Sequence, residues 1–142
     1  MQELRELLKA RKYPVFLEKV EKRKSELAEH PHGKVLLALA LFFKGKAEEA
    51  QKILSEVKEI EDADFMADAG LCFLMLGNMK KAERYLKKSV KLPNPDDAAW
   101  ARLAAIYYAQ GKLEEVNLIT KNIQIIIYIL LLLKACHTLF PV

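Results

Sequence analysis

The stretch Trp100-Ala101-Arg102-Leu103-Ala104-Ala105-Ile106-Tyr107-Tyr108-Ala109-Gln110-Gly111-Lys112-Leu113-Glu114-Glu115-Val116 decides the architecture. Trp100, Leu103 and Tyr107 stand at i, i+3 and i+7, the spacing of one stripe along a helix. Gly111-Lys112 then interrupts the apolar run before a charged helical run begins. Two earlier stretches follow the same grammar. Met66-x-x-Ala69-Gly70-x-x-Phe73 leads into Gly77-Asn78-Met79-Lys80-Lys81-Ala82 and Leu86, closing at Pro93 and Pro95. Lys34-x-x-Leu37-Ala38-x-x-Leu41 leads into Gly45-Lys46-Ala47-Glu48-Glu49-Ala50 and Leu54. The three glycines are 32 and 34 residues apart, a period that marks repeats. A glycine placed there suits a left-handed residue closing one helix before a tight turn.

The small residues Ala38, Gly70 and Ala104 let two helices approach closely, and the Leu or aromatic three positions on fills the groove between them. Residues 1–30 read as a degenerate helix pair, with Leu4 and Leu7 at the offsets of Ala38 and Leu41. Arg11 replaces the turn glycine, and Pro14 suits a first helical turn. The pattern predicts helices near 2–10, 14–29, 33–43, 47–60, 64–76, 79–91, 98–110 and 113–127 or beyond. It divides the chain into 1–30, three repeats at 31–62, 63–96 and 97–130, and a tail at 131–142. The composition agrees with an all-α chain: 142 residues, 52% hydrophobic and 30% charged, with only five glycines and five prolines. A net charge of +4 requires no nucleic-acid partner.

These offsets resemble the tetratricopeptide repeat family. The resemblance covers residues 31–122 well and 1–30 loosely. It implies an α-solenoid of antiparallel helix hairpins wound into a right-handed superhelix, used to bind proteins rather than to catalyse. It also implies a concave groove lined by the first helix of each unit, here Val35, Leu39, Phe42 and Phe43, then Ala67, Leu71, Leu74 and Met75, then Ala101, Ala105 and Tyr108. Such a row would accept an apolar or amphipathic segment, whereas the alternative reading makes these residues ordinary core. The family's carboxylate clamp is not expected, because Val35, Leu39, Asp68 and Ala98 stand where its polar residues would be. Only Arg102 fits, facing either a partner carboxylate or an acidic side chain within the fold. The expected partner-binding set is therefore Val35, Leu39, Phe42, Leu71, Leu74, Met75, Arg102 and Tyr108.

Lys80, Lys81, Arg84, Lys87, Lys88 and Lys91 follow one helical face. An acidic protein, phosphate or membrane surface would suit them. Without interleaved aromatics, the simpler expectation is a solvated face paired with Glu48, Glu49, Glu56 and Glu59. After residue 116 only Lys121 and Lys134 are charged, and Ile123–Leu133 holds one polar residue, Gln124. Eleven helical residues reach roughly 16 Å, about half a bilayer core. The tail is therefore expected to fold back on its own array, to pair with a second chain, or to meet a membrane, in that order. The abrupt loss of charge also fits a stretch that does not continue the repeat, as an altered reading frame would give.

No phosphate-binding glycine loop, HExxH, GxSxG or CxxC occurs. Neither a metal site nor a cofactor is expected. Glu48-Glu49 and Glu114-Glu115 are explained by the positive end of the helix dipole. Isolated Cys72 and Cys136, with a charged start, suggest a reducing cytoplasmic setting. The expected function is a non-enzymatic interaction module or adaptor for a protein or peptide. The alternatives are a membrane-associated adaptor using the tail and a homodimer formed through it.

Overall fold

A computed structural model describes residues 1–120 and 129–134, and all regular structure among them is helical. The elements are α1 (Gln2–Lys9), α2 (Tyr13–Lys22), α3 (Lys24–Leu27), α4 (Pro31–Phe43), α5 (Ala47–Glu56), α6 (Ala63–Met75), α7 (Met79–Lys91), α8 (Asp97–Ala109) and α9 (Leu113–Ile119). A further helical stretch covers 129–134. Expectations for 121–128 and 135–142 lie outside the described residues.

One turn recurs four times, after α1, α4, α6 and α8. Each places one residue at positive φ: Arg11 (58°), Gly45 (81°), Gly77 (83°) and Gly111 (74°). The N–H of that residue donates to the carbonyl three positions back. The next N–H, from Lys12, Lys46, Asn78 or Lys112, donates to Leu7, Leu41, Phe73 or Tyr107, at 2.9 Å in all four. These paired bonds satisfy carbonyls that a helix end leaves without intrahelical donors, in the Schellman pattern. The N-terminal pair therefore closes with the same turn as its successors, with Arg11 in the place of the glycine.

The chain forms two compact units, Met1–Glu61 and Asp62–Val142. In the first, α1 packs on α2, α4 packs on α2, α3 and α5, and Leu4, Leu8, Phe16, Val20 and Leu27 are buried. The helix expected over 14–29 breaks at Arg23. There the N–H is shared between the carbonyls of Lys19 and Val20, and the guanidinium turns forward to Glu26 at 2.8 Å. The helix expected to run to residue 60 stops at Glu56, because β-branched Val57 takes extended backbone.

In the second unit α7 packs against both α6 and α8, α6 touches α8, and α8 packs against α9. Asp62, Asn78 and Asp96 cap α6, α7 and α8 by accepting backbone N–H groups at 2.9–3.2 Å. The core joins Ala67 of α6, Ala82 and Leu86 of α7, and Ala99, Leu103 and Ile106 of α8. The buried Ser89 hydroxyl donates to the Ala63 carbonyl at 2.7 Å and ties α7 to α6. Small residues dominate this interface because the helices approach closely. A Cβ added at Gly70 would lie 2.7 Å from Leu86 Cγ.

Candidate interaction cleft

The structure divides the expected groove residues. Val35, Leu39, Leu71 and Met75 are buried, as are Ala67, Ala101 and Ala105, so these side chains present no surface to a partner. The physical reason is that α4, α6 and α8 are apolar around most of their circumference and are enclosed on more than one side. Arg102 is buried too. Its Nη1 lies 3.6 Å from the Asp68 carboxylate and donates to the Ala67 carbonyl at 2.8 Å, so it faces a fold carboxylate instead of a partner's. Phe42 is half-buried against Phe43, with ring centroids 5.8 Å apart, and Phe43 also stacks on Tyr13. Leu74 is half-buried beside the second unit's core. Of the eight expected residues only Tyr108 is well exposed, at 56%.

An open cleft of about 410 Å³ lies elsewhere, bounded by three helices of the second unit. Each contributes one helical face. Lys87, Val90 and Lys91 come from α7, Trp100, Leu103 and Tyr107 from α8, and Glu115, Leu118 and Ile119 from α9. The positions fall at i, i+3, i+4 or i+7, so each set projects together. Leu103 is buried, Trp100 and Tyr107 are half-buried, and Leu118 stands at the lip with 67% of its surface exposed. The lining is mainly aromatic and aliphatic.

Charge is divided across the opening. Lys87 and Lys91 occupy the α7 side and Glu115 the α9 side. Lys87 lies 3.7 Å from Glu83 of its own helix, half-exposed itself while the Glu83 carboxylate is largely buried. Lys112 stands 5.5 Å over the Tyr107 ring. Two cations of α7 also cover aromatic faces, Lys81 that of Phe73 on α6 and Arg84 that of Tyr85 on α7 itself. The basic stripe thus has one aromatic neighbour on its own helix, Tyr85, and one, Phe73, that the sequence of that helix does not reveal.

No protein-family model matches this chain, and no curated protein matches it. Other chemistry is sparse among the described residues. No three His, Cys, Asp or Glu residues gather as metal ligands there. Burial, with the Asp68 charge adding to it, pushes the Cys72 thiol up to about 12, so it stays protonated near neutrality.

The described part of the tail lies on α8. Ile129 packs against Ala101 and Ala104, with Ile119 and Leu133 beside it, while Leu130 and Leu131 remain exposed. Within 129–134 the tail thus touches its own array, while the fold-back expected for 123–128 lies outside the described residues. No helix among the described residues is long and apolar enough to cross a membrane.

Several cleft residues escaped the sequence reading. Trp100, Leu103 and Tyr107 were visible only as a packing stripe, and Lys87 and Lys91 only as a solvated face. The available signal was the matching i, i+3, i+4 set Glu115, Leu118, Ile119 on the following helix. It acquires meaning only once those faces are known to surround one space.

Proposed function

We propose that this chain is a non-enzymatic interaction module, a tetratricopeptide-like solenoid of right-handed sense working in the cytoplasm, that holds a short peptide segment between α7, α8 and α9. The observation that carries this reading is the open cleft floored by Trp100, Leu103 and Tyr107 and edged by both signs of charge. The fourfold recurrence of the hairpin turn supports the repeat assignment. Aromatic and aliphatic walls without a buried polar network favour binding by burial and shape.

The test is selection of random peptides on the full chain, followed by measurement of each enriched peptide against Leu118→Glu. This exposed lip residue can be changed without opening the core. Losing a contact the size of a buried leucine costs about 1.5–3 kcal/mol, roughly tenfold or more in affinity. Peptides that bind both proteins equally would place the binding surface elsewhere.

A second reading, self-association through the tail, is favoured by exposed Leu130 and Leu131. It predicts a dimer that becomes monomeric in Leu130→Glu/Leu131→Glu. Sedimentation giving one monomer mass for both proteins rejects it.

A further inference from the structure

Resting on the cleft reading above, we infer that the segment held there is acidic: a short peptide with one large apolar side chain entering the cleft and carboxylates beside it, directed to α7. The charge pattern selects this occupant. Lys87 and Lys91, one helical turn apart, form the α7 side of the opening. Lys80, Lys81, Arg84 and Lys88 continue the exposed positive surface along the same helix. Lys87 is half-exposed and lies 3.7 Å from Glu83, whose Oε1 is buried, so Lys87 can add a peptide carboxylate on its solvent side while keeping that pair. The position of Lys91 in the last turn of α7 also complements the helix dipole, which accounts for its charge but not for its place beside an aromatic floor.

The floor determines what lies between the carboxylates. Half-buried Val90 and Ile119 supply aliphatic surface and Trp100 and Tyr107 supply ring surface, so a Phe, Leu or Met side chain is matched and a polar one is not. Glu115 distinguishes a peptide from a nucleic acid. A phosphate chain crossing the opening would meet this carboxylate, whereas a peptide can keep its acidic groups on the α7 side.

Trp100 is the chain's single tryptophan and lines the cleft, so its fluorescence reports occupancy directly in the full-length protein. The probes are the peptides Asp-Glu-Phe-Leu-Asp-Glu, Lys-Arg-Phe-Leu-Lys-Arg and Asp-Glu-Ser-Gly-Asp-Glu, together with oligouridylate. The acidic apolar peptide is expected to bind about tenfold or more tightly than either other peptide, and to weaken as salt rises. Lys87→Glu/Lys91→Glu, with circular dichroism unchanged, is expected to invert the order of the acidic and basic peptides.

Equal affinity for the acidic and basic peptides, or indifference to the lysine reversal, overturns the acidic assignment. If those peptides still lose binding in Leu118→Glu, the cleft reading survives that failure. If no peptide saturates at millimolar concentration, or none responds to Leu118→Glu, both are overturned. Oligouridylate binding more tightly than every peptide, and lost in the lysine reversal, replaces the peptide with a nucleic acid.

Discussion

The guanidinium of Arg102 on α8 lies 3.6 Å from the carboxylate of Asp68 on α6, 34 residues earlier in the chain. Both side chains are buried, and the same guanidinium donates to the Ala67 carbonyl, so one residue joins the first helices of successive hairpins by charge and by hydrogen bond. Removing one member of such a pair leaves a charge in a low-dielectric site and costs about 3–5 kcal/mol. Arg102→Met is expected to lower unfolding stability by that amount in a urea titration, and Arg102→Met/Asp68→Leu to recover part of it. A loss below about 1 kcal/mol for the single variant would show that the pair does not hold these helices.

Arg11 occupies the left-handed position that glycine fills in the other three turns. A side chain there costs roughly 1–2 kcal/mol, and the buried Arg11 Nε has no hydrogen-bond partner among the described residues. Arg11→Gly is therefore expected to raise stability by up to about 1 kcal/mol, after allowance for the freer unfolded chain. Gly77→Ala should lower it by about 1 kcal/mol, since open space around Gly77 leaves only the backbone penalty. Thermal unfolding of both variants checks the opposite signs.

Much of the architecture was legible in the sequence because glycine and proline mark helix ends and the period fixes them together. Seven of the eight expected helix starts fall within one residue of the observed ones, as with Met79 and Leu113. The start near 33 falls at Pro31, which the fixed φ of proline suits for a first turn. The groove was not legible. Along α4 every residue from Val35 to Ala40 is buried, so the sequence shows no dry and wet face from which to choose a lining. The cleft was hidden for a different reason: its residues come from three helices, and no one helix carries both its rings and its charges.

Two helical glycines should respond differently to the same substitution. A Cβ at Gly33 would lie 2.1 Å from the Leu27 carbonyl oxygen, while one at Gly70 would meet the Leu86 side chain at 2.7 Å. Gly70→Ala is expected to cost about 1–3 kcal/mol because Leu86 must shift, partly offset by alanine's helix preference. Leu86→Val should relieve some of that cost. Gly33→Ala should cost more and gain nothing from a side-chain change, because backbone must move. Chemical denaturation gives the ranking, and equal costs would contradict it.

The raised Cys72 thiol carries a pH prediction. The folded state keeps the proton up to about 12, whereas an unfolded cysteine releases it near pH 8.5. Between those values the folded chain binds more protons, so this group's contribution to stability is complete below the lower value and is lost as pH rises toward 12. In Cys136→Ser, which isolates this thiol, alkylation at pH 8 should follow global unfolding. Rapid alkylation of the folded protein would contradict the burial.

The most direct test of the account is amide and side-chain NMR of the full chain titrated with a peptide selected on it. Perturbations concentrated at Lys87, Val90, Lys91, Trp100, Tyr107 and Leu118 are predicted, with the helical signals otherwise retained. Shifts centred on Phe42 and Leu74, or none at saturating peptide, would contradict a binding cleft between α7, α8 and α9.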